Sequence, residues 1–370
     1  MKMNIQKLIK ATKQIDDPRR QWGNLRHKLS DVLVIAFCAI ICGAQTYDDL
    51  AHFGKARYTW LSWFLNLPNK TPSADTFERV FEVLDPQVVA KKLRKIFQSE
   101  EVVGKIIAFD GKTMRGSKNS SHCALHVLSA FLTDDQIVIG EEIVDEKSNE
   151  ITAIPLLLDE INVTGATVTI DALGTQTEIA EKIIEKGANY VLALKGNQGT
   201  LHKAVKGYFK LFAPKHSAVT FKEGSREETR EYFLETNIKW LLDSPEHLDW
   251  KGISGIGMVR CTAKVKGKIR QETRYFITSL TDVTHFSRAV RAHWGIENCL
   301  HWHLDVTFGE DASRFRDKNA AGMWNVLRKL ALEYVKRVDP FKGVSLRSRR
   351  WLASLDNDYL LQVLASELQK

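Results

Sequence analysis

The sequence predicts an α/β fold in which a mixed-sheet core follows a helical N-terminal region and is interrupted by a β-rich insertion before a late helix. Three observations support this. Residues 1–100 carry helix caps and helical spacing, residues 104–196 alternate short β-rich runs with amphipathic helices, and helix returns from about residue 285. With 370 residues, the chain is long enough for several domains and at least one large core.

The N-terminal region contains the longest apolar run of the chain, Val32 to Ala44. A run this short does not cross a bilayer, and we predict a buried helix that begins at the capping residue Ser30. Thr46 is predicted to cap a second, amphipathic helix. Further on, Ser73 and the pair Asp85-Pro86 are typical starts of two more helices.

Those last two helices allow a DNA-binding hypothesis, a helix-turn-helix unit whose basic side chains face phosphates (Lys91, Lys92, Arg94 and Lys95). The alternative, a solvated basic face on an amphipathic helix, is favoured.

The middle of the chain has the predicted order β-β-β-α-β-α-β, with "KIIAFDG", "TVTIDA" and "YVLALKG" among its strands. We predict a helical domain over residues 1–100 and a catalytic core over residues 101–200 and 275–340. A β-rich insertion over residues 201–274 divides that core, and a basic helical tail follows over residues 341–370.

Composition narrows the function classes. The formal net charge of +8 favours a polyanionic partner, with nucleic acid ahead of a membrane surface. The five cysteines are scattered without a CxxC pair, which indicates reduced thiols rather than a disulfide or zinc site. The start of the chain lacks the pattern of a secretory signal, so we expect a cytoplasmic protein.

Asp110 in "IIAFDG" and Asp171 in "VTIDA" each stand at the predicted carboxyl end of a strand. Such ends meet at one edge of an open α/β sheet, so the two carboxylates are predicted to converge. A single aspartate there is more often a turn former, but two on neighbouring strands favour a site. Hard cations such as Mg²⁺ prefer oxygen ligands of this kind.

The third acid is predicted to be Glu297, within "HWGIENCLHWHLD". His293, Glu297 and His301 share one helical face, and Trp294, Ile296 and Trp302 are expected to bury the rest of the helix. Two histidines and one glutamate do not form a single metal site here, because eight residues of helix span about 12 Å. A structural helix with hydrogen-bonded polar groups remains open.

Basic residues near these acids are candidate DNA contacts. Lys112, Arg115 and Lys118 follow Asp110 without an intervening acid, and Lys195 ends the strand "YVLAL". A plain solvated loop explains the first three equally well. The stretch 336–350 is also basic, and it is either a further DNA-binding surface or a solvated helix end. Its basic residues are Lys336, Arg337, Lys342, Arg347, Arg349 and Arg350.

Several long blocks, in order, resemble the DDE transposases of bacterial insertion sequences, specifically the group that includes H-repeat-associated proteins. The blocks are "RHKLSDVLVIAFCAIICGAQTYDDL", "IIAFDGKTMRGS", "EKSNEITAIPLLL", "VTIDALGTQTEIAEKI", "YVLALKGNQGTLH" and "RAHWGIENCLHWHLDVTFGED". The resemblance covers residues 8–365.

This resemblance implies an RNase H-like core in which Asp110, Asp171 and Glu297 form a DDE triad that binds two Mg²⁺ (or Mn²⁺) ions. The implied partners are the double-stranded terminal repeats of the element and target DNA, bound by a homodimer or larger assembly associated with the nucleoid. The implied reaction is hydrolysis at the element ends followed by joining of the 3′-hydroxyl to target DNA.

The chain departs from the family pattern around Glu297. Related insertion-sequence transposases carry the signature Y-x-x-R-W-x-I-E and a lysine seven residues after the glutamate. At the positions of the tyrosine, the arginine and the lysine, this chain has Val290, His293 and Leu304. Arg291 and His293 are therefore the candidates for DNA or phosphate contacts there. Two other functions remain open. One is a domesticated or inactive DNA-binding descendant, and the other is an RNase H-like nuclease without strand transfer.

Overall fold

A computed structural model describes residues 2–19, 25–94, 101–118, 123–144, 150–212, 215–223, 226–244, 249–265 and 268–366. The predicted boundary near residue 100 and Lys95 lie outside these ranges. Among the described residues, no helix combines the length and apolar character needed to cross a bilayer.

The N-terminal region is helical, and its central helix is fully enclosed. Every residue of the helix Leu29–Ile41 is buried, as predicted for the apolar run. The helices are α1 Lys2–Thr12, α2 Leu29–Ile41, α3 Tyr47–Ala56, α4 Tyr58–Leu61, α5 Ala74–Val83 and α6 Pro86–Arg94.

The predicted helix starts were right at three positions and wrong at one; Ser73 directly precedes α5 as its N-cap residue, although its side chain makes no capping hydrogen bond. Thr46 caps α3 in a reciprocal capping box with Asp49, and Asp85 accepts a hydrogen bond from Gln87 N at 2.9 Å before α6. The Ser30 cap was wrong, because α2 begins one residue earlier and Ser30 lies inside it, buried.

The described residues contain nine strands that form one sheet. The strands are β1 Ile106–Thr113, β2 His126–Leu132, β3 Ile137–Val144, β4 Thr167–Ile170, β5 Asn189–Leu194, β6 Lys215–Glu223, β7 Arg226–Glu235, β8 Gly255–Val265 and β9 Lys268–Thr278. Their order in the sheet is β3-β2-β1-β4-β5-β9-β8-β7-β6. β1 is antiparallel to β2 and parallel to β4, and β4 is parallel to β5.

The predicted order β-β-β-α-β-α-β is confirmed, with helices α7 Glu150–Glu160 and α8 Thr177–Glu185 in the expected places. Helix α9, Gly199–Leu211, follows β5, and the short α10, Lys239–Leu242, follows β7. β9 pairs antiparallel with β5, from Val191 opposite Thr278 to Leu194 opposite Tyr275. The strands of the predicted insertion therefore extend the same sheet, and the expected boundary at residue 274 falls inside β9.

Side chains of successive strand residues point to opposite faces, and different helices cover the two faces. On one face, Ile107 and Phe109 of β1 pack with α7, α8 and α9. On the other, Ala108 of β1 belongs to the core built from the N-terminal helices and the last helices of the chain, α12 Lys318–Arg337, α13 Leu346–Leu355 and α14 Asn357–Ala365. Asp110 shares the parity of Ala108 and lies on this second face.

The described basic residues of α6 have partners within the chain. Arg94 pairs with the buried Glu141 of β3 at 2.8 Å, Lys92 Nζ donates to the Gln14 carbonyl at 2.9 Å, and Lys91 pairs with Glu160 at 3.0 Å. This packing does not favour the helix-turn-helix hypothesis, since Arg94 faces the sheet rather than an open surface.

The C-terminal basic stretch also turns partly inward. Arg350 is buried and donates to the Ile40, Ile41 and Thr307 carbonyls. Arg349 pairs with Asp339 at 2.8 Å and donates to carbonyls at the end of α12. These two arginines bind groups within the protein and hold the C-terminal helices in place. Their side chains are therefore not part of a solvated surface or of a DNA-binding surface.

Candidate active site

Asp110 and Asp171 stand side by side because the parallel ladder between β1 and β4 ends just before them. Phe109 is the register partner of Ile170, so the next residue on each strand is one of the two aspartates. β1 continues to Thr113 through its pairing with β2, in which Asp110 lies opposite Ser129. The expectation that Asp110 ends its strand was therefore wrong, although its position beside Asp171 is as predicted.

Asp171 also shapes the loop that follows it. Its Oδ1 accepts hydrogen bonds from Leu173 N at 2.9 Å and Gly174 N at 3.3 Å. Asn197 and Gln198 donate to the Ala172 carbonyl at 2.6 and 3.0 Å. The loops after β4 and β5 are thus tied together, which fixes the backbone that carries Asp171.

Glu297 comes from a helix that crosses the same face of the sheet. Helix α11, Val283–Ile296, starts at the capping residue Asp282 and packs through Phe286 and Ala289 against neighbouring strands. At Glu297 the helix becomes a π-helix, Glu297–His301, followed by a second one, His303–Thr307. Such wide turns are rare and often occur at functional sites.

His301 links the acids of the two elements. Its Nδ1 lies 3.0 Å from Glu297 Oε2 and 3.6 Å from Asp110 Oδ2. The ligand atoms of these three residues all lie within 4.8 Å of one another, a grouping that suits a metal ion. Helical spacing predicted His301 on the face of Glu297 without a role, and the interval of four residues was the signal that could have indicated their contact.

The electrostatics of the site reflect crowded acids. Burial, together with the carboxylates of Asp171, Glu297 and Glu150, raises the pKa of Asp110 to about 6, while His301 opposes the shift. The hydrogen bond from His301 lowers the pKa of Glu297, against the effect of burial. The accumulated negative charge is what a divalent cation would neutralise.

The site fits a divalent cation by its chemistry. Carboxylate oxygens are the ligands that Mg²⁺ prefers, and Asp110 and Glu297 present them close together. Asp171 stands outside the group of three but near enough to raise the pKa of Asp110.

Lys112, a candidate DNA contact, is instead part of a buried ion cluster beside the site. Its Nζ lies 2.6 Å from both Asp305 and Glu310. Burial alone would lower the pKa of Lys112, but these carboxylates reverse the shift. Glu310, also held by Asn325 at 2.8 Å, is therefore engaged, which leaves Glu297 as the better third acid.

The other candidate DNA contacts lie at the surface, apart from His293. Arg115, Lys118, Lys195 and Arg291 are exposed. His293 Nδ1 is hydrogen-bonded to Thr169 Oγ1 of β4 at 2.9 Å, and burial lowers its pKa to about 4. A neutral, inward-facing imidazole offers no cation to a phosphate, so this geometry does not support the predicted role of His293.

The two tryptophans beside Glu297 do not bury the helix as predicted. Ile296 is buried, whereas Trp294 is 38% exposed and Trp302 is 52% exposed. Arg274 of β9 lies over the Trp294 ring, 4.5 Å from its centroid. The rigid support of Glu297 comes from the buried Leu300 and from the packing of α11 instead.

Comparisons with known proteins identify the family of the chain. Residues 103–333 match the family model described as Transposase DDE domain, and residues 9–96 match the model described as DDE_Tnp_1-associated. The chain belongs to the DDE transposase family. All three candidate acids of this family member lie within the longer match.

Curated relatives span nearly the whole chain. "H repeat-associated putative transposase YhhI" of Escherichia coli (strain K12) is 36% identical, over 98% of this chain and 99% of its own length. "Putative transposase YncI" of Escherichia coli O157:H7 is 39% identical, over 98% of this chain and 96% of its own. A solved piggyBac transposase synaptic complex with hairpin DNA aligns at 11% identity with a TM-score of 0.45, covering 98% of this chain and 79% of that one, a similarity too low to assign the fold.

Proposed function

We propose that this member of the DDE transposase family is a DNA transposase that binds the ends of an insertion sequence, cleaves phosphodiester bonds there and joins the 3′-hydroxyl ends to target DNA. The observation that carries the proposal is the convergence of Asp110 of β1 and Glu297 of the π-turn that follows α11, with Asp171 beside Asp110 at the end of the ladder between β1 and β4. Residues far apart in sequence meet on one face of a rigid sheet.

In this proposal Asp110, Asp171 and Glu297 hold two Mg²⁺ (or Mn²⁺) ions. When bound, such a pair of ions stabilises the attacking and leaving oxygens of an in-line phosphoryl displacement. The chain itself contributes positioning. β1 and β4 fix the two aspartates by their ladder, and the π-turn fixes Glu297 against Asp110 through His301.

The strand order β3-β2-β1-β4-β5, with β1 to β3 antiparallel and β1, β4 and β5 parallel, supports the assignment of an RNase H-like core. The strands from β6 to β9 widen that sheet and give a larger surface on the side of α11.

DNA is proposed to contact the exposed basic residues around the site, Arg115, Lys118, Lys195 and Arg291. Such contacts neutralise phosphates and release counterions, so the affinity would fall with salt regardless of sequence. Joining two element ends calls for two protomers, so we propose a homodimer or larger assembly on DNA.

The test is a strand-transfer assay with the purified protein, a DNA fragment carrying the element end, and a target plasmid. Asp110→Asn, Asp171→Asn and Glu297→Gln should each abolish cleavage and joining while DNA binding persists. Glu181→Gln, an exposed acid on α8, is the matched control and should behave as the wild type.

Either of two other results would refute the proposal in favour of a different function. Mg²⁺-dependent cleavage without joining would identify a nuclease without strand transfer. Sequence-specific binding by the wild type without cleavage in Mg²⁺ or Mn²⁺ would identify a domesticated or inactive DNA-binding protein.

A further inference from the structure

His301 is a buried histidine that the three-carboxylate scheme leaves without a chemical task. It is 4% exposed, whereas the Glu297 side chain that it contacts is 56% exposed. Its Nε2 is buried and has no hydrogen-bond partner among the described groups. Nδ1 is the ring nitrogen that faces the two carboxylates, so a ligand bound in the site would meet this atom.

The hydrogen bond between Nδ1 and Glu297 is partly solvated. An interaction with a carboxylate that is more than half exposed competes with water and contributes little to stability. The second carboxylate facing Nδ1, Asp110, lies 3.6 Å away, beyond hydrogen-bonding distance. A cation that took the place of the Nδ1 proton would join the imidazole and both carboxylates at one centre, with the remaining ring proton on Nε2.

The spacing of the three ligand atoms matches that of neighbouring ligands on one cation. With metal–ligand distances of about 2.1 Å, adjacent ligands of an octahedral ion stand about 3 Å apart. Nδ1 lies 3.0 Å from Glu297 Oε2 and 3.6 Å from Asp110 Oδ2. All three ligand atoms lie within 4.8 Å of one another, which places them around a position that one cation could occupy.

We propose that His301 is a nitrogen ligand of a divalent cation in this site, binding through Nδ1 beside Asp110 and Glu297. The inference rests on the metal site of the proposed function and adds a ligand type to it. Mg²⁺ is a hard cation that prefers oxygen ligands and dehydrates reluctantly, whereas Mn²⁺ accepts an imidazole nitrogen more readily, so His301 should favour Mn²⁺ over Mg²⁺.

The test uses full-length protein freed of metal with chelator and then loaded with Mn²⁺. Pulsed electron paramagnetic resonance of the wild type should show ¹⁴N coupling from a directly bound imidazole, and calorimetry should give the Mn²⁺ affinity. His301→Asn replaces the ligand nitrogen with an oxygen. It should remove the coupling, weaken Mn²⁺ binding by about tenfold or more and reduce the preference for Mn²⁺ over Mg²⁺.

Two nearby histidines serve as controls. His303→Asn is the matched variant, since His303 Nδ1 contacts Thr307 Oγ1 at 3.0 Å in the second π-helix, and it should keep the coupling. His293→Asn should also keep it. Loss of the coupling in His293→Asn but not in His301→Asn would overturn the assignment.

The remaining outcomes separate this inference from the proposed function. If Asp110→Asn abolishes Mn²⁺ binding but the wild type shows no ¹⁴N coupling, the metal site stands and the role of His301 is refuted, a result that needs no His301 variant to fold. If Mn²⁺ binding does not depend on Asp110, both proposals fail.

Discussion

Replacing Asp110 by asparagine should make the metal-free protein more stable at neutral pH, because the native structure disfavours the charged form of this carboxylate. The pKa of Asp110 is raised from an ordinary value of 3.8 to about 6, first by burial and then by neighbouring acids. Asparagine has nearly the same shape and carries no charge. The substitution therefore removes the cost of burying this charge and leaves the packing in place.

The magnitude follows from linkage. A folded-state pKa raised above the unfolded value means that the unfolded chain ionises first, so stability falls as pH rises from about 4 to about 6. The shift from 3.8 to about 6 corresponds to about 3 kcal/mol. The free energy of unfolding of Asp110→Asn relative to the wild type should thus increase by about 3 kcal/mol between pH 4 and pH 7.5.

The assay is urea unfolding in chelator, followed by tryptophan fluorescence and circular dichroism at several pH values. Glu181→Gln, which changes an exposed acid, should differ from the wild type by the same small amount at every pH. A stability difference for Asp110→Asn that does not grow between pH 4 and pH 7.5 would refute the reasoning. Adding Mn²⁺ at pH 7.5 should stabilise the wild type more than the variant.

Other predictions concern the surroundings of the site. Lys112→Met should destabilise the protein by about 3–5 kcal/mol in urea unfolding, because it leaves a buried carboxylate unpaired. Arg115→Met, at an exposed position, should change stability by less than about 0.5 kcal/mol but reduce the salt dependence of DNA binding by about one unit of slope. Gly111→Ala should destabilise by about 1–3 kcal/mol, since its Cβ would lie 2.1 Å from His126 Nε2. Gly207→Ala, a control with open space inside α9, should be neutral or stabilising. Equal stability of Lys112→Met and Arg115→Met, or of the two glycine variants, would contradict these assignments.

Much of the fold was predictable because it rests on local patterns. The apolar run of α2, the Thr46 cap and the alternation of strands and helices between residues 104 and 196 follow from periodicity and capping. The adjacency of Asp110 and Asp171 followed from the rule that parallel strands place their carboxyl ends together.

Side-chain direction was the main point at which local patterns failed. Lys112 has the sequence context of a DNA-binding loop, yet it follows the strand alternation of Asp110 and meets two acids from a distant segment. Trp294 and Trp302 have the composition of a buried face, yet Trp294 in α11 and Trp302 between the two π-turns are both exposed. Which side of the helix is covered depends on how α11 crosses the sheet, and residue composition does not encode that crossing.

The sequence by itself determined the family, the order of the elements and the three candidate acids, since these depend on spacing along the chain. Only the tertiary structure decided that His301 stands between Asp110 and Glu297 and that the predicted insertion continues the core sheet through β9. The physical reason is that contacts between distant segments depend on strand register, helix crossing and burial. None of these three is encoded in any one local pattern.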